Sequence, residues 1–137
     1  MKRYLLDSGP AGDLIEGRHG IRERRASEKA LGNDVGLAYP VLCELLGGAA
    51  KSNNPKRHTK IVLRELADLK LWPLMLEAVR EYGRLFGVLS QIGRMMQQID
   101  IQIAAIALTL PRCTVVTYDS DLSAVPGLNV ENWRTTP

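Results

Sequence analysis

The sequence holds no stretch near the roughly 20 consecutive apolar residues that a membrane-spanning helix needs, and its first apolar run, Tyr4, Leu5 and Leu6, is stopped by Asp7. No membrane span is expected, and so short a run is not read as a signal peptide. Cysteine is scarce: Cys43 and Cys113 are the two in 137 residues. They lie far apart inside apolar segments without metal-ligand spacing, so they read as reduced, buried thiols of a cytoplasmic protein, not as a disulfide framework or a zinc site. The two histidines, His19 and His58, stand alone within basic runs and read as surface residues. There is no Gly-x-Ser-x-Gly elbow, P-loop or dinucleotide fingerprint, which removes the corresponding nucleophile and nucleotide chemistries. Internal repeats, low-complexity tracts and linkers are also lacking.

What is present describes an ordinary globular chain. Apolar residues make up 45% and charged residues 24%, close to the soluble average, and the length suits one domain over residues 1–137. The net charge of +3 permits an anionic partner without requiring one. Basic residues gather twice, as Arg18, Arg22, Arg24, Arg25 and Lys29, then as Lys51, Lys56, Arg57, Lys60 and Arg64. Each run is either a solvated helix face or a phosphate-binding surface.

Local patterns predict alternating strands and helices. Residues 3–6 form a buried strand ending at Asp7, with Ser8, Gly9 and Pro10 as turn chemistry and a short helix at 13–16. A charged helix follows at 21–31, a strand at 35–38, and a helix from Pro40 to about residue 50, since proline suits a first helical position. Asn54 before Pro55 caps a helix in which Ile61, Val62, Leu66 and Leu69 recur at helical spacing. Residues 69–74 contain a third short strand. An amphipathic helix at 75–91 carries Leu76, Val79, Tyr82, Leu85, Phe86 and Leu89, with Gly93 ending it. A nearly all-apolar helix spans 97–110, a β-branched strand 114–117, and a last extended segment 128–130. This order implies an α/β fold of three layers, α/β/α, around a central, mainly parallel sheet.

In such sheets ligands bind beyond the carboxyl ends of the strands. Two of the seven aspartates fall there: Asp7 directly after the first strand, and Asp119 shortly after Val115, Val116 and Thr117. Glu44 lies among Val41, Leu42, Cys43, Leu45 and Leu46, and Asp100 precedes a long apolar run, so both are expected to be at least partly buried. A buried carboxylate needs a partner. Separate salt bridges would supply one for each acid; four acids converging on one crevice would instead call for a cation. All-oxygen ligation selects Mg²⁺ or Mn²⁺ over zinc.

These residues resemble a known family. Tyr-Leu-Leu-Asp-Ser-Gly-Pro at 4–10, Cys-Glu-Leu-Leu-Gly-Gly-Ala at 43–49, Asp-Ile-Gln-Ile-Ala-Ala at 100–105 and Val-Thr-Tyr-Asp-Ser-Asp at 116–121 are similar, in order and spacing, to the motifs of PIN domains, specifically VapC-type toxins. The resemblance implies carboxylates at Asp7, Glu44, Asp100 and Asp119 as catalytic metal ligands, with Ser8, Thr117 and Asp121 as supporting residues. It also implies magnesium-dependent hydrolysis of RNA, a homodimer and a small cognate antitoxin. Gly9 stands where many relatives carry Asn, and Leu122 where an aromatic residue is frequent. Asp121 competes with Asp119 for the last acidic position. The alternative is a catalytically silent RNA- or partner-binding domain of the same fold.

Overall fold

The computed structural model describes residues 1–134. Twelve elements follow one another: β1 (Arg3–Leu6), α1 (Ser8–Glu16), α2 (Ile21–Ala30), β2 (Asp34–Ala38), α3 (Tyr39–Ala50), α4 (Pro55–Leu66), β3 (Lys70–Trp72), α5 (Leu76–Gln91), α6 (Gln98–Thr109), β4 (Cys113–Val116), a 3₁₀ turn (Ser120–Ala124) and β5 (Asn129–Glu131). The strands form one five-stranded sheet in the order β3-β2-β1-β4-β5, and every pairing in it is parallel. Helices flank it. The expected α/β architecture with a parallel central sheet is therefore present, and no described helix is long and apolar enough to cross a membrane.

The centre of the sheet goes to the most apolar strand. Tyr4, Leu5 and Leu6 of β1 are buried, because pairing on both edges and helices on both faces leave no exposed side for a polar residue. Full burial stabilises each leucine by about 2 kcal/mol. Helix α6 packs on β4, α3 and α5, which accounts for its nearly continuous apolar sequence: the residues from Ile103 to Ala107 are all buried. The small side chains of Ala104, Ala105 and Ala107 let its backbone approach its neighbours closely.

Helix α5 divides the apolar residues that its periodicity places together. Ala78, Leu85 and Leu89 are buried, whereas Leu76, Val79 and Phe86 stay exposed. Its end at Gly93, where φ is +71°, matches the expected stop.

Several boundaries differ from those expected. Helix α1 begins at Ser8, so Ser8, Gly9 and Pro10 are its first turn and not a separate turn before it. Asp7 is the N-cap, and the missing N–H of Pro10 costs nothing in a first turn, where that group has no intrahelical partner. Strand β4 stops at Val116, which frees the Thr117 side chain from the alternation of the strand. The 3₁₀ turn after Asp119 had no helical periodicity to announce it. Cys43 is exposed, contrary to expectation, and only Cys113 is buried. The reason is helical phase: on α3 the inward positions fall to Pro40, Val41 and Ala49.

Candidate active site

Strand order reverses beside β1, with β2 on one side and β4 on the other, and a crevice opens at such a switch point. Asp7 enters it as the residue after β1, held in register by its N–H bond to the carbonyl of Val116 at 2.8 Å. Its two carboxylate oxygens are both engaged. The Ser8 N–H donates to Oδ1 at 2.8 Å, and the Thr117 hydroxyl donates to Oδ2 at 2.7 Å. Thr117 is buried and also accepts the Asp119 N–H at 3.0 Å. One threonine thus fixes both the first acid and the loop carrying the last.

Asp119 caps the 3₁₀ turn by accepting the Asp121 N–H at 2.8 Å. Glu44 arrives from α3 and accepts a hydrogen bond from the Ser8 hydroxyl. Asp100 comes from the first turn of α6, where the helix N-terminus favours a negative charge. Asp7, Ser8, Glu44, Asp100, Asp119 and Asp121 together line a cleft of about 240 Å³, with Gln97 at its wall. All four expected acids, and the three supporting residues, are therefore brought to one place.

Asp100 is the unusual member. It is 9% exposed, and its carboxylate makes neither an ion pair nor a hydrogen bond with a described residue, so the basic partner expected of a buried acid is missing. Since no fully buried side-chain oxygen among the described residues lacks a partner, the oxygens of Asp100 open onto the cleft. Burial, then the charges of Asp7, Asp119, Asp121 and Glu44, raise its pKa from 3.8 to about 6.

Glu44 corrects another expectation: it is exposed, because the inward positions of α3 fall to Pro40, Val41 and Ala49 and leave Glu44 lining the open cleft. Asp119 and Asp121 are also separated by the structure. Arg94 donates to Asp121 Oδ1 at 2.8 Å, which offsets the charge of Asp121, while Asp119 has no cationic partner among the described residues. Arg94 carried no signal in the sequence, since it lies 27 positions from Asp121.

A second polar cluster underlies the loop between Thr117 and Asp119. The Tyr118 hydroxyl donates to Asp13 Oδ2 at 2.6 Å, and His19 Nδ1 lies 2.7 Å from the same oxygen. His19 is therefore not the isolated surface residue expected. Burial raises the pKa of Asp13, but hydrogen bonds from Tyr118 and His19, with the charges of His19 and Arg18, outweigh it and hold the acid low. The Tyr118 ring also explains Gly9: a Cβ there would stand 3.0 Å from the ring.

The donor set fits a hard divalent cation. It is entirely oxygen, it is anionic, and its most buried member has no compensating charge among the described residues. As the side chains stand, no three His, Cys, Asp or Glu residues among those described close into a ready coordination shell. Magnesium needs no such cage, because it keeps several of its waters, and acids that do not touch the ion hold it through them.

The PIN domain family model matches residues 4–128. Among solved structures, the chain is similar to the VapBC2 complex of Rickettsia felis bound to promoter DNA, with a TM-score of 0.87 and 24% identity over 96% of this chain and 98% of the other. It is similar to DNA-bound VapBC of Salmonella typhimurium at 0.87 and 24%, covering 97% and 99%. VapBC-5 of Mycobacterium tuberculosis, a member of a family of toxin-antitoxin systems, gives 0.67 and 26%, covering 98% and 100%. Comparison with curated protein sequences gives no match.

Proposed function

This chain belongs to the PIN domain family, and from that membership we propose that it is a metal-dependent endoribonuclease acting as the toxin of a toxin-antitoxin pair. The observation that carries the reading is Asp100, a buried carboxylate facing four other acids with no cation among the described residues to offset it.

Asp7, Glu44, Asp100 and Asp119 are the metal-holding acids in this reading. Mg²⁺ or Mn²⁺ bound among them supplies Lewis-acid polarisation of a phosphate oxygen and a water of lowered pKa. The chain supplies orientation. Ser8 and Thr117 occupy one lone pair on each oxygen of Asp7, so the remaining lone pairs face the cleft in a fixed direction. Ser8 ties Glu44 of α3 to the start of α1. Asp121, shared with Arg94, is an outer member and not the fourth ligand. The phosphodiester bond is hydrolysed when the oxygen of water replaces one ester oxygen on phosphorus, the leaving oxygen taking a proton.

The test is cleavage of single-stranded RNA by the purified chain, with Mg²⁺, with Mn²⁺ and with EDTA. Cleavage with either metal and none with EDTA is the expected result. Metal-independent cleavage would contradict the proposal, and absence of both cleavage and metal affinity would favour a silent RNA- or partner-binding domain. The cognate antitoxin belongs to the same proposal, supported by the complexes in which the similar structures occur.

The homodimer is proposed on the exposed apolar side chains of α5 and its approach, Met75, Leu76, Val79 and Phe86, which a lone chain leaves in water. Sedimentation at micromolar concentration should give twice the chain mass; a species of 15.2 kDa would contradict it.

A further inference from the structure

The two basic runs have different fates in the fold. The four arginines on or beside α2 are engaged within the chain, while Lys29 at its end is exposed and pairs with no described residue. Arg18 pairs with Asp13 and Glu16, Arg22 donates to the carbonyls of Leu14 and Ile15 and pairs with Glu65, and Arg24 pairs with Glu28 and Glu131. Arg25 donates to the carbonyl of Asp68. These arginines hold α2 in place, and carboxylates offset the charge of three of them, Arg18, Arg22 and Arg24.

On α4 the opposite holds. Lys56, Arg57, Lys60 and Arg64 are exposed, and none of their side chains forms an ion pair or hydrogen bond with a described residue. Glu65, the one acid of that helix, is turned to Arg22. Lys56, Lys60 and Arg64 repeat every fourth position, which sets them in one row at steps of about 6 Å, with Arg57 beside it. Like charges at this spacing are mildly destabilising. Nothing within the described chain offsets them, so the row suits an external polyanion of regular charge.

Its position joins it to the acidic cleft. Ile61 of α4 borders the cationic face and also a groove of about 540 Å³ bounded by Gly12 of α1 and by Leu45 and Gly48 of α3. Earlier turns of those two helices carry Ser8 and Glu44. The cleft itself, with five carboxylates, repels phosphates, so the attraction that brings RNA there must come from cations placed nearby.

We propose that the exposed face of α4 is a phosphate-tracking surface along which single-stranded RNA lies as it enters the acidic cleft. The assignment rests on the ribonuclease reading for its polyanion. An evenly spaced cation row matches the repeating charge of a nucleic-acid backbone, which needs no side-chain pockets.

The test measures binding of a 20-nucleotide single-stranded RNA against NaCl concentration in an Asp100→Asn background, which keeps the RNA intact. Lys56→Gln, Lys60→Gln and Arg64→Gln are combined, and Lys2→Gln, Lys29→Gln and Lys70→Gln form a control of equal charge change on other exposed lysines. Loss of three phosphate contacts should lower the slope of log affinity against log salt by about 2, and weaken binding at physiological salt about tenfold, with the control slope unchanged. An unchanged slope in the α4 variant, or an equal fall in both, overturns the proposal. So does a loss confined to binding of a polyglutamate peptide, which would assign the row to an acidic polypeptide. Failure of the wild-type chain to cleave RNA would remove the ribonuclease reading, whereas the slopes report on α4 by themselves.

Discussion

Asp100→Asn is expected to abolish RNA cleavage, by roughly a thousandfold or more, while making the metal-free chain more thermostable at neutral pH. Loss of activity alone would follow from many kinds of damage. The gain in stability is the distinguishing half, and it follows from charge. Burial and four neighbouring acids raise the Asp100 pKa from 3.8 to about 6, so between those values the folded chain holds a proton that the unfolded chain releases. Stability therefore falls as pH rises from about 4 to about 6 and stays reduced above that range. Because the carboxylate opens onto a solvent-filled cleft, screening leaves the shift worth about 1 to 2 kcal/mol at neutral pH, and asparagine, which carries no charge, avoids it.

Magnesium should reverse the same cost. Its affinity is expected to be high at neutral pH and to weaken below about pH 6, where Asp100 takes up its proton. Thermal melts of wild type and Asp100→Asn in EDTA and in Mg²⁺, at two pH values, check all of this together. A variant less stable than wild type in EDTA, or Mg²⁺ binding equally well on both sides of that pH, would refute the account.

Gly36→Ala should unfold the chain at a temperature roughly 10 °C lower, through a loss of about 3 kcal/mol. Gly36 pairs with Lys70 across β2 and β3, and a Cβ on it would stand 2.2 Å from the Lys70 carbonyl oxygen and 2.7 Å from the carbonyl carbon. The obstruction is backbone, so it cannot rotate away as a side chain would, and shortening Lys70 should not rescue the variant. Either the β2–β3 ladder opens or the strand shifts. Circular dichroism melts of the single variant, and of the double variant with Lys70→Ala, provide the measurement. A melting temperature within 2 °C of wild type would show that the strands separate freely here.

Most elements were legible because their signals are local. The apolar run before Asp7, Asn54 capping α4 and Gly93 closing α5 are decided by neighbouring residues and stand where expected, and Pro40 falls in the first turn of α3, one position after its start at Tyr39. Helix α1 was misplaced because Gly9 and Pro10 are punctuation in most contexts and first-turn residues only when a cap such as Asp7 precedes them.

The acids themselves were fixed by the sequence: two followed strands, one led an apolar helix, and one lay on a helix between two strands. That they share a parallel α/β scaffold was also legible, since the alternation of strands and helices admits few other arrangements. Tertiary structure alone decided which charges meet. It left Asp100 without a cation among the described residues, gave Arg94 to Asp121, exposed Glu44, and engaged the arginines of α2 in ion pairs and carbonyl hydrogen bonds while leaving the side chains of those of α4 without a described partner. Secondary structure depends on residues a few positions apart, whereas Coulomb interactions depend on distance through space, and only the folded packing of distant segments sets those distances.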